Sequence, residues 1–212
     1  QEDTDIQETE TSIEVASFRI RDGGTSADAD AVGTTLTDIS FMVTNVGLIR
    51  RAAVYDGSTE LAEVAVSGSP IVFTGFNATA PDDGTKDLTL RISFTTSVTD
   101  NQQFQFTVSS VTASAAGSGF ATANGGGAQS SISGDINRIE VTATELFVSG
   151  VPDTVNKNND FSATVTACDV NGITDLDQTT SVTLSIVTGT GILSSVTGLT
   201  QNLSSGNVNW TD

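Results

Sequence analysis

Apolar and polar residues alternate with a period of two along most of this 212-residue chain. In the segment 87–96 (DLTLRISFTT), every second residue from 88 to 94 is leucine, isoleucine or phenylalanine. Successive side chains of a β-strand point to opposite faces, whereas the apolar face of a helix recurs every three or four residues. Threonine, serine and valine are the commonest residues, and β-branched side chains suit a pleated sheet. The pattern therefore predicts an all-β protein without a helix of useful length.

The amino-terminal part of the chain contains seven alternating segments, spaced about 10–12 residues apart and separated by turn signals. These predicted strands are 13–21, 35–44, 48–55, 61–66, 70–79, 87–96 and 104–108. Asp56-Gly57 is a strong hairpin signal, and the run 80–84 (APDDG) has proline and glycine where turns need them. Regularly spaced short strands of this kind predict an antiparallel, immunoglobulin-like β-sandwich.

Alternation at predicted inward positions identifies the core of this sandwich. We expect the following seven side chains to form it: Phe94, Phe104, Phe106, Ile92, Leu90, Phe41 and Val43.

Beyond the seventh strand, the composition changes. Residues 113–128 are rich in alanine, glycine and serine and are predicted to form a flexible excursion. Strands are then predicted at 130–133 and 136–144, followed by clearer ones at 161–167 and 182–187. We therefore expect a second β unit after the excursion.

The predicted organisation is a tandem of antiparallel β-sandwich units in three parts. An acidic amino-terminal segment spans 1–12, a β-sandwich domain spans 13–142, and an immunoglobulin-like domain spans 143–212. The last domain is short for a complete sandwich, so we expect it to lack its final strands. The first residue is Gln1 and not methionine, which predicts either a processed chain or a fragment.

Charge and composition exclude several function classes. The formal net charge is -18 and the chain has no histidine and one cysteine. A Ser-His-Asp triad, a histidine-ligated metal and an internal disulfide are therefore ruled out. A chain of pI about 4.1 repels phosphate backbones, so nucleic acid is not an expected partner. No apolar run approaches the roughly 18 residues of a membrane span, and we predict no membrane-spanning segment.

Aspartates concentrate in loops that the strand directions bring to one end of the first domain. The loops after the first, third and fifth strands lie at the same end if successive strands reverse direction. Closely spaced carboxylates suit Ca²⁺, which takes six to eight oxygen ligands. The predicted calcium ligands are Asp22, Asp28, Asp30, Asp82, Asp83 and Asp87, with Asp56 nearby. The alternative is that these are solvated turn residues.

A second, weaker candidate calcium loop contains Asp169, Asn171, Asp175 and Asp177. Asp169-Val170-Asn171-Gly172 by itself reads as a turn. Paired acids also suggest a glycosidase, but the chain has one tryptophan and one tyrosine to surround a sugar. Loop acids also lack the burial that raises the pKa of a catalytic acid. We therefore predict that the chain is not an enzyme.

Several stretches resemble modules of very large secreted surface proteins of Bacteroidetes. The stretches that resemble these modules are DADAVGTTLTDISFMVTN, AAVYDGSTELAEV, TDNQQFQFTVSS and NRIEVTATEL. The second domain resembles the immunoglobulin-like repeats that follow such modules. The matching features are Pro152, the T-V-T-A strand 164–167, the D-V-N-G turn 169–172 and the S-V-T-L strand 181–184. It departs from that pattern at Cys168, where a polar residue is usual.

The resemblance implies an exported, adhesin-like repeat protein of the cell surface, of the kind carried by the type IX secretion system. Its partners would be neighbouring immunoglobulin-like domains of the same chain and surface or secretion-system proteins. It also implies O-glycosylation at Thr154, since Asp153-Thr154-Val155 fits the acceptor pattern of these bacteria. The expected function is a structural or adhesive stalk without catalytic activity. The alternative is a carbohydrate- or protein-binding accessory module of a secreted protein, which would need an exposed aromatic platform.

Overall fold

The structure is a computed structural model that describes residues 12–23, 27–95, 97–120, 138–156 and 159–211. Within these ranges the chain is all-β, as predicted, with twelve strands in antiparallel sheets and one short 3₁₀ turn at Val46–Leu48. The chain divides into a first unit, residues 1–97 with 103–138, and a second unit, residues 98–102 with 139–212. No helix in the described ranges is long and apolar enough to cross a membrane.

The first unit contains seven strands in two antiparallel sheets. The strands are β1 (Ile13–Arg21), β2 (Thr34–Val43), β3 (Ile49–Asp56), β4 (Thr59–Ala65), β5 (Ile71–Ala80), β6 (Thr85–Phe94) and β7 (Phe106–Ala113). One sheet has the order β1-β6-β3-β4 and the other has the order β5-β2-β7. These seven strands are the seven that alternation predicts, with ends that differ by a few residues. The sheet order could not be predicted, because sequence neighbours in the chain are often not neighbours in a sheet.

The two sheets of the first unit contact each other through alternate apolar side chains, an arrangement consistent with a β-sandwich. Leu88, Leu90 and Ile92 on β6 are completely buried. The rings of Phe18 on β1 and Phe41 on β2 meet edge to face, with centroids 5.5 Å apart. Six of the seven predicted core residues are buried: Phe104, Phe106, Ile92, Leu90, Phe41 and Val43. The seventh, Phe94, is half-buried at the end of β6, and its ring lies 5.6 Å from that of Phe104.

The second unit contains five shorter strands. They are β8 (Glu145–Ser149), β9 (Ala163–Cys168), β10 (Ser181–Thr183), β11 (Thr200–Asn202) and β12 (Asn207–Trp210). One sheet has the order β12-β9-β8, and β10 pairs with β11. Their core consists of Val165, Ala167, Val182, Leu203, Val208 and Trp210. Strand β10 ends at Thr183, so the predicted strand 182–187 is shorter than its alternation suggests.

The strand predicted at 136–144 is wrong over its described part. Arg138 makes an isolated bridge to Gln103, and residues 139–144 belong to no strand. Ile139 and Val141 alternate because both are buried, but the backbone of this segment bonds to residues 100–102. Apolar alternation measures burial on one side, and it does not show which backbone groups pair. The strand predicted at 130–133 lies outside the described residues.

The first part of the predicted excursion is held against the first unit. The backbone N–H of Ser114 donates to the carbonyl of Thr35 at 2.8 Å. Gly117 lies so close to Gly33 that an added Cβ would stand 2.5 Å from the Gly33 carbonyl oxygen. Small residues are required here because two backbones touch. The rest of the excursion, beyond residue 120, is outside the described part.

The division between the units differs from the predicted boundary at 142/143. The second unit begins at 139 and also takes in the short segment 98–102, which precedes β7 in the chain. Sequence composition gives no sign of this, because 98–102 reads as an ordinary turn between two strands of one sheet.

Candidate functional site

Four aspartates converge at one end of the first unit. One carboxylate oxygen from each of Asp22, Asp28, Asp82 and Asp83 can be chosen so that all four lie within 4.8 Å of one another. Asp22 follows β1, Asp28 belongs to the loop before β2, and the other two lie in the turn between β5 and β6. The structure therefore brings together four of the six predicted ligands. We call these four residues the acidic cluster.

Asp22 is the buried member of the acidic cluster, with 1% of its surface exposed. One carboxylate oxygen accepts a hydrogen bond from the Thr34 hydroxyl at 2.5 Å, and the other accepts from the Asp83 backbone N–H at 3.0 Å. Its own N–H donates to the Gly84 carbonyl at 3.0 Å. Asp22 thus ties the end of β1 to the start of β2 and to the β5–β6 turn.

Two exposed members, Asp28 and Asp83, are held in place by hydrogen bonds between backbone N–H groups and carboxylates. The Asp28 N–H donates to the Asp83 carboxylate at 2.8 Å, and the Asp30 N–H donates to the Asp28 carboxylate at 3.1 Å. Asp83 has a positive φ of 55°, which aspartate tolerates in turns. Asp30 accepts from the Ser118 hydroxyl at 2.9 Å, at the edge of the cluster. No sequence pattern points to Ser118, because the small-residue stretch around it carries no cluster of oxygen ligands.

Two acids predicted near this site are occupied elsewhere. Asp87 makes two hydrogen bonds, of 2.5 and 2.8 Å, to the Arg19 guanidinium, because the two residues are direct partners in the β1–β6 register. Asp56 forms an ion pair with Lys86 at 2.5 Å. Strand direction predicts that these acids lie at the same end as the acidic cluster, but each of them forms an ion pair with an adjacent basic residue instead.

The members of the acidic cluster differ in their pKa values. The hydroxyl of Thr34 is the main cause that lowers the pKa of Asp22 below its ordinary value of 3.8, although burial opposes it. Desolvation raises the pKa of Asp82, and the charges of Asp83, Asp28, Asp22 and Asp30 raise it further. Asp22 is therefore stabilised as a carboxylate, whereas Asp82 is the cluster member whose ionisation the fold opposes.

We expect Asp82→Asn to raise the melting temperature of the first unit at about pH 7 in the presence of a chelator. Folding raises the pKa of this carboxyl group, so its protonation stabilises the folded state at pH values below the pKa of the unfolded chain. This stabilisation is lost as the pH rises through the pKa of the folded state. The gain should disappear at about pH 3, where the group is protonated in both states. A melting temperature that is unchanged at neutral pH would show that the repulsion is screened by solvent.

The second candidate loop holds its acids in a different way. The Asp169 carboxylate accepts from the N–H groups of Asn171 and Ile173 at 2.9 and 2.8 Å. Desolvation opposes ionisation of Asp169, but these hydrogen bonds outweigh it and lower its pKa. Asp175 is buried and accepts from the N–H groups of Ala143 and Asp177. Among the described residues, the structure does not gather these acids into a group that could share a metal ion.

One buried acid had no place in the sequence prediction. Asp100 is 3% exposed and accepts hydrogen bonds from the N–H groups of Val141 and Leu176, at 2.8 and 2.7 Å. It thereby joins three segments of the second unit that are far apart in the chain. The pair Asp100-Asn101 predicts only a turn. A local sequence pattern cannot predict contacts between residues that are far apart in the chain.

The remaining candidates are single residues. Thr154 is exposed and lies outside the strands, and its glycosylation stays a prediction. Cys168 is a buried free thiol at the end of β9. Among the described aromatic side chains, Phe147 is the most exposed, at 61%, whereas Tyr55 and Trp210 are buried. Neither of the latter two can offer a sugar-stacking face.

Comparisons with protein-family models, with curated proteins and with solved structures gave no match for this chain.

Proposed function

We propose that this chain is a structural and adhesive segment of an exported bacterial cell-surface protein, a stalk of immunoglobulin-like units without catalytic activity. The proposal includes the extracellular location and the Bacteroidetes type IX secretion origin that the sequence resemblance implies. The observation that carries it is that the buried acids hold the fold together. Asp22, Asp100 and Asp175 all accept hydrogen bonds from backbone N–H groups of distant segments. Buried carboxylates of this kind stabilise the positions of loops and present no reactive oxygen to a substrate.

The outer faces of the strands support the same function. Exposed hydroxyl and amide side chains pair across strands, as in Thr35 with Thr79 at 2.8 Å and Thr183 with Thr200 at 2.7 Å. Thr166 likewise donates to Asn207 at 2.6 Å. Cross-strand polar pairs stabilise a sheet while keeping its face soluble. Together with a net charge of -18, they suit a stalk that must not self-associate.

A glycan array and a panel of polysaccharide and peptide substrates test this function with the purified chain. A stalk segment should bind no glycan and hydrolyse no substrate. The alternative, a carbohydrate-binding accessory module, is favoured by one observation, the exposed ring of Phe147. Under the alternative, the chain binds a glycan, Phe147→Ala abolishes the binding, and Met42→Ala, at another exposed residue, leaves it intact. This result would establish the alternative and overturn the stalk.

We further propose that the acidic cluster binds calcium and stabilises the first unit. The four carboxylates supply hard oxygen ligands of the kind that Ca²⁺ prefers, and a divalent cation would neutralise their mutual repulsion. The alternative is a set of solvated turn residues that backbone N–H groups order without an ion.

Millimolar calcium should raise the melting temperature of the first unit, and a chelator should lower it. Binding to the folded state alone contributes about 2.7 kcal/mol at a hundredfold excess over Kd. Asp28→Asn should remove the response because Asp28 is an exposed cluster member. Asp87→Asn is the matched control, since Asp87 pairs with Arg19 outside the cluster, and it should keep the response. Identical melting curves with calcium and chelator would mean that the acids are solvated turn residues.

A further inference from the structure

The segment 98–102 is bound within the second unit by a buried carboxylate. Asp100 is 3% exposed, and its two oxygens accept from the Val141 N–H at 2.8 Å and from the Leu176 N–H at 2.7 Å. Hydrogen bonds to a charged acceptor are about twice as strong as those between neutral groups. The two donors lie 41 and 76 residues further along the chain. The carboxylate therefore binds groups that are brought together only when the second unit is folded.

The neighbours of Asp100 are bound to the same two parts of the chain. The Asn101 N–H donates to the Ile139 carbonyl at 3.0 Å, and the Ile139 N–H donates to the Gln102 carbonyl at 3.0 Å. The Asn101 side chain donates to the Asp177 carboxylate at 2.9 Å. Asn101 has a positive φ of 64°, which asparagine tolerates in turns. The segment thus presents backbone and side-chain groups together in one compact turn.

The two parts of the second unit that bind this turn, 139–143 and 175–177, are joined to each other by a separate set of contacts. Asp175 is buried, and its carboxylate accepts from the Ala143 N–H at 2.9 Å. The Asp175 N–H donates to the carbonyl of Ala167 on β9 at 3.1 Å. Ala167 belongs to the core of the second unit. The groups that bind the turn are therefore anchored to this core through contacts that do not involve the turn itself.

The chain that links the turn to its binding site belongs to the first unit. Residues 103–138 make this connection, and they are assigned to the first unit. None of the hydrogen-bond partners named above for Asp100 and Asn101 lies among them. The turn is thus attached to its site in the manner of a tethered peptide, in which the tether supplies a high effective concentration and the contacts supply the binding energy.

We propose that the second unit is a receptor for the turn 98–102, and that a chain cleaved within 121–137 remains one particle, held together at this site. The ligand is a turn with aspartate followed by asparagine. Asp100 uses both carboxylate oxygens, and Asn101 supplies a side-chain donor. Cleavage removes the advantage of the tether and leaves these contacts in place. The inference does not depend on the stalk function or on calcium at the acidic cluster.

A specific protease site inserted in the glycine run 125–127 tests the proposal on the full chain. A denaturing gel confirms that cleavage is complete. The two fragments should then sediment together in analytical ultracentrifugation at micromolar concentration, and a dilution series gives their Kd. Fragments that separate at micromolar concentration would overturn the proposal, because the covalent connection would then be what holds the turn in its site.

Substitutions in the turn show whether this site, and not another contact, holds the fragments together. Asp100→Asn replaces one acceptor oxygen with an NH₂ group that cannot accept, so it should raise the Kd at least about tenfold. Asn101→Gly suits the positive φ and removes the donor to Asp177, so it should raise the Kd about threefold to tenfold. Asp87→Asn is the matched control in the same fragment, because Asp87 pairs with Arg19. Its Kd should stay within about twofold of the wild type.

Trp210 fluorescence of each uncut variant checks that the second unit is folded before cleavage. If Asp100→Asn does not fold, Asn101→Gly provides the comparison, because it retains the buried carboxylate. An equal Kd for the wild type and the folded turn variants would overturn the proposal, since other contacts would then hold the fragments together.

Discussion

Replacement of Phe106 with alanine is expected to lower the free energy of unfolding of the first unit by about 3–5 kcal/mol. Phe106 is 1% exposed and is among the largest fully buried side chains of the described residues. Its ring stacks on that of Phe104 with centroids 6.2 Å apart, and its backbone pairs with Val43 of β2. Truncation would remove buried apolar surface and leave a cavity that two sheets of paired strands cannot close.

The measurement is denaturant unfolding followed separately in the two units. The only tyrosine, Tyr55, lies in the first unit and the only tryptophan, Trp210, lies in the second. The change should appear in the tyrosine signal. Met42→Ala is the control, because Met42 is 48% exposed on β2 opposite Thr107 of β7. It should cost less than about 1 kcal/mol. An unchanged midpoint for Phe106→Ala would contradict the register of β7.

Asp100→Ala is expected to destabilise the second unit by about 2–5 kcal/mol. The substitution leaves the N–H groups of Val141 and Leu176 without their acceptor in an interior site. Each unsatisfied buried donor costs about 1–3 kcal/mol. The carboxylate also connects 98–102 to two later segments, so its loss should loosen all three together.

Trp210 fluorescence during denaturant unfolding measures this effect, since its indole is 2% exposed and donates to the Gly198 carbonyl. Asp160→Ala is the matched control, because it removes one exposed acid from the same unit. The control should change stability by less than about 0.5 kcal/mol. A loss for Asp100→Ala no greater than that of the control would mean that Asp100 does not hold the second unit together.

The acidic cluster could be predicted only in part. Four of the six proposed ligands do converge, because alternating strand directions place their loops at one end. Of the other two, Asp87 pairs with Arg19 because the two residues are partners in the β1–β6 register, and Asp30 lies at the edge of the cluster, where it accepts from Ser118.

The sequence by itself determined the all-β class, the seven strands of the first unit and six of its core residues. Each depends on local alternation, which a β-strand converts directly into one buried face and one exposed face. The tertiary structure decided the sheet orders, the place of 98–102 in the second unit and the use of Asp100. These depend on contacts such as the hydrogen bond from the Leu176 N–H to the Asp100 carboxylate, two groups that are adjacent in space and distant in the chain. A hydrogen bond between distant segments leaves no periodic trace in the sequence, because its two partners are selected by the completed fold.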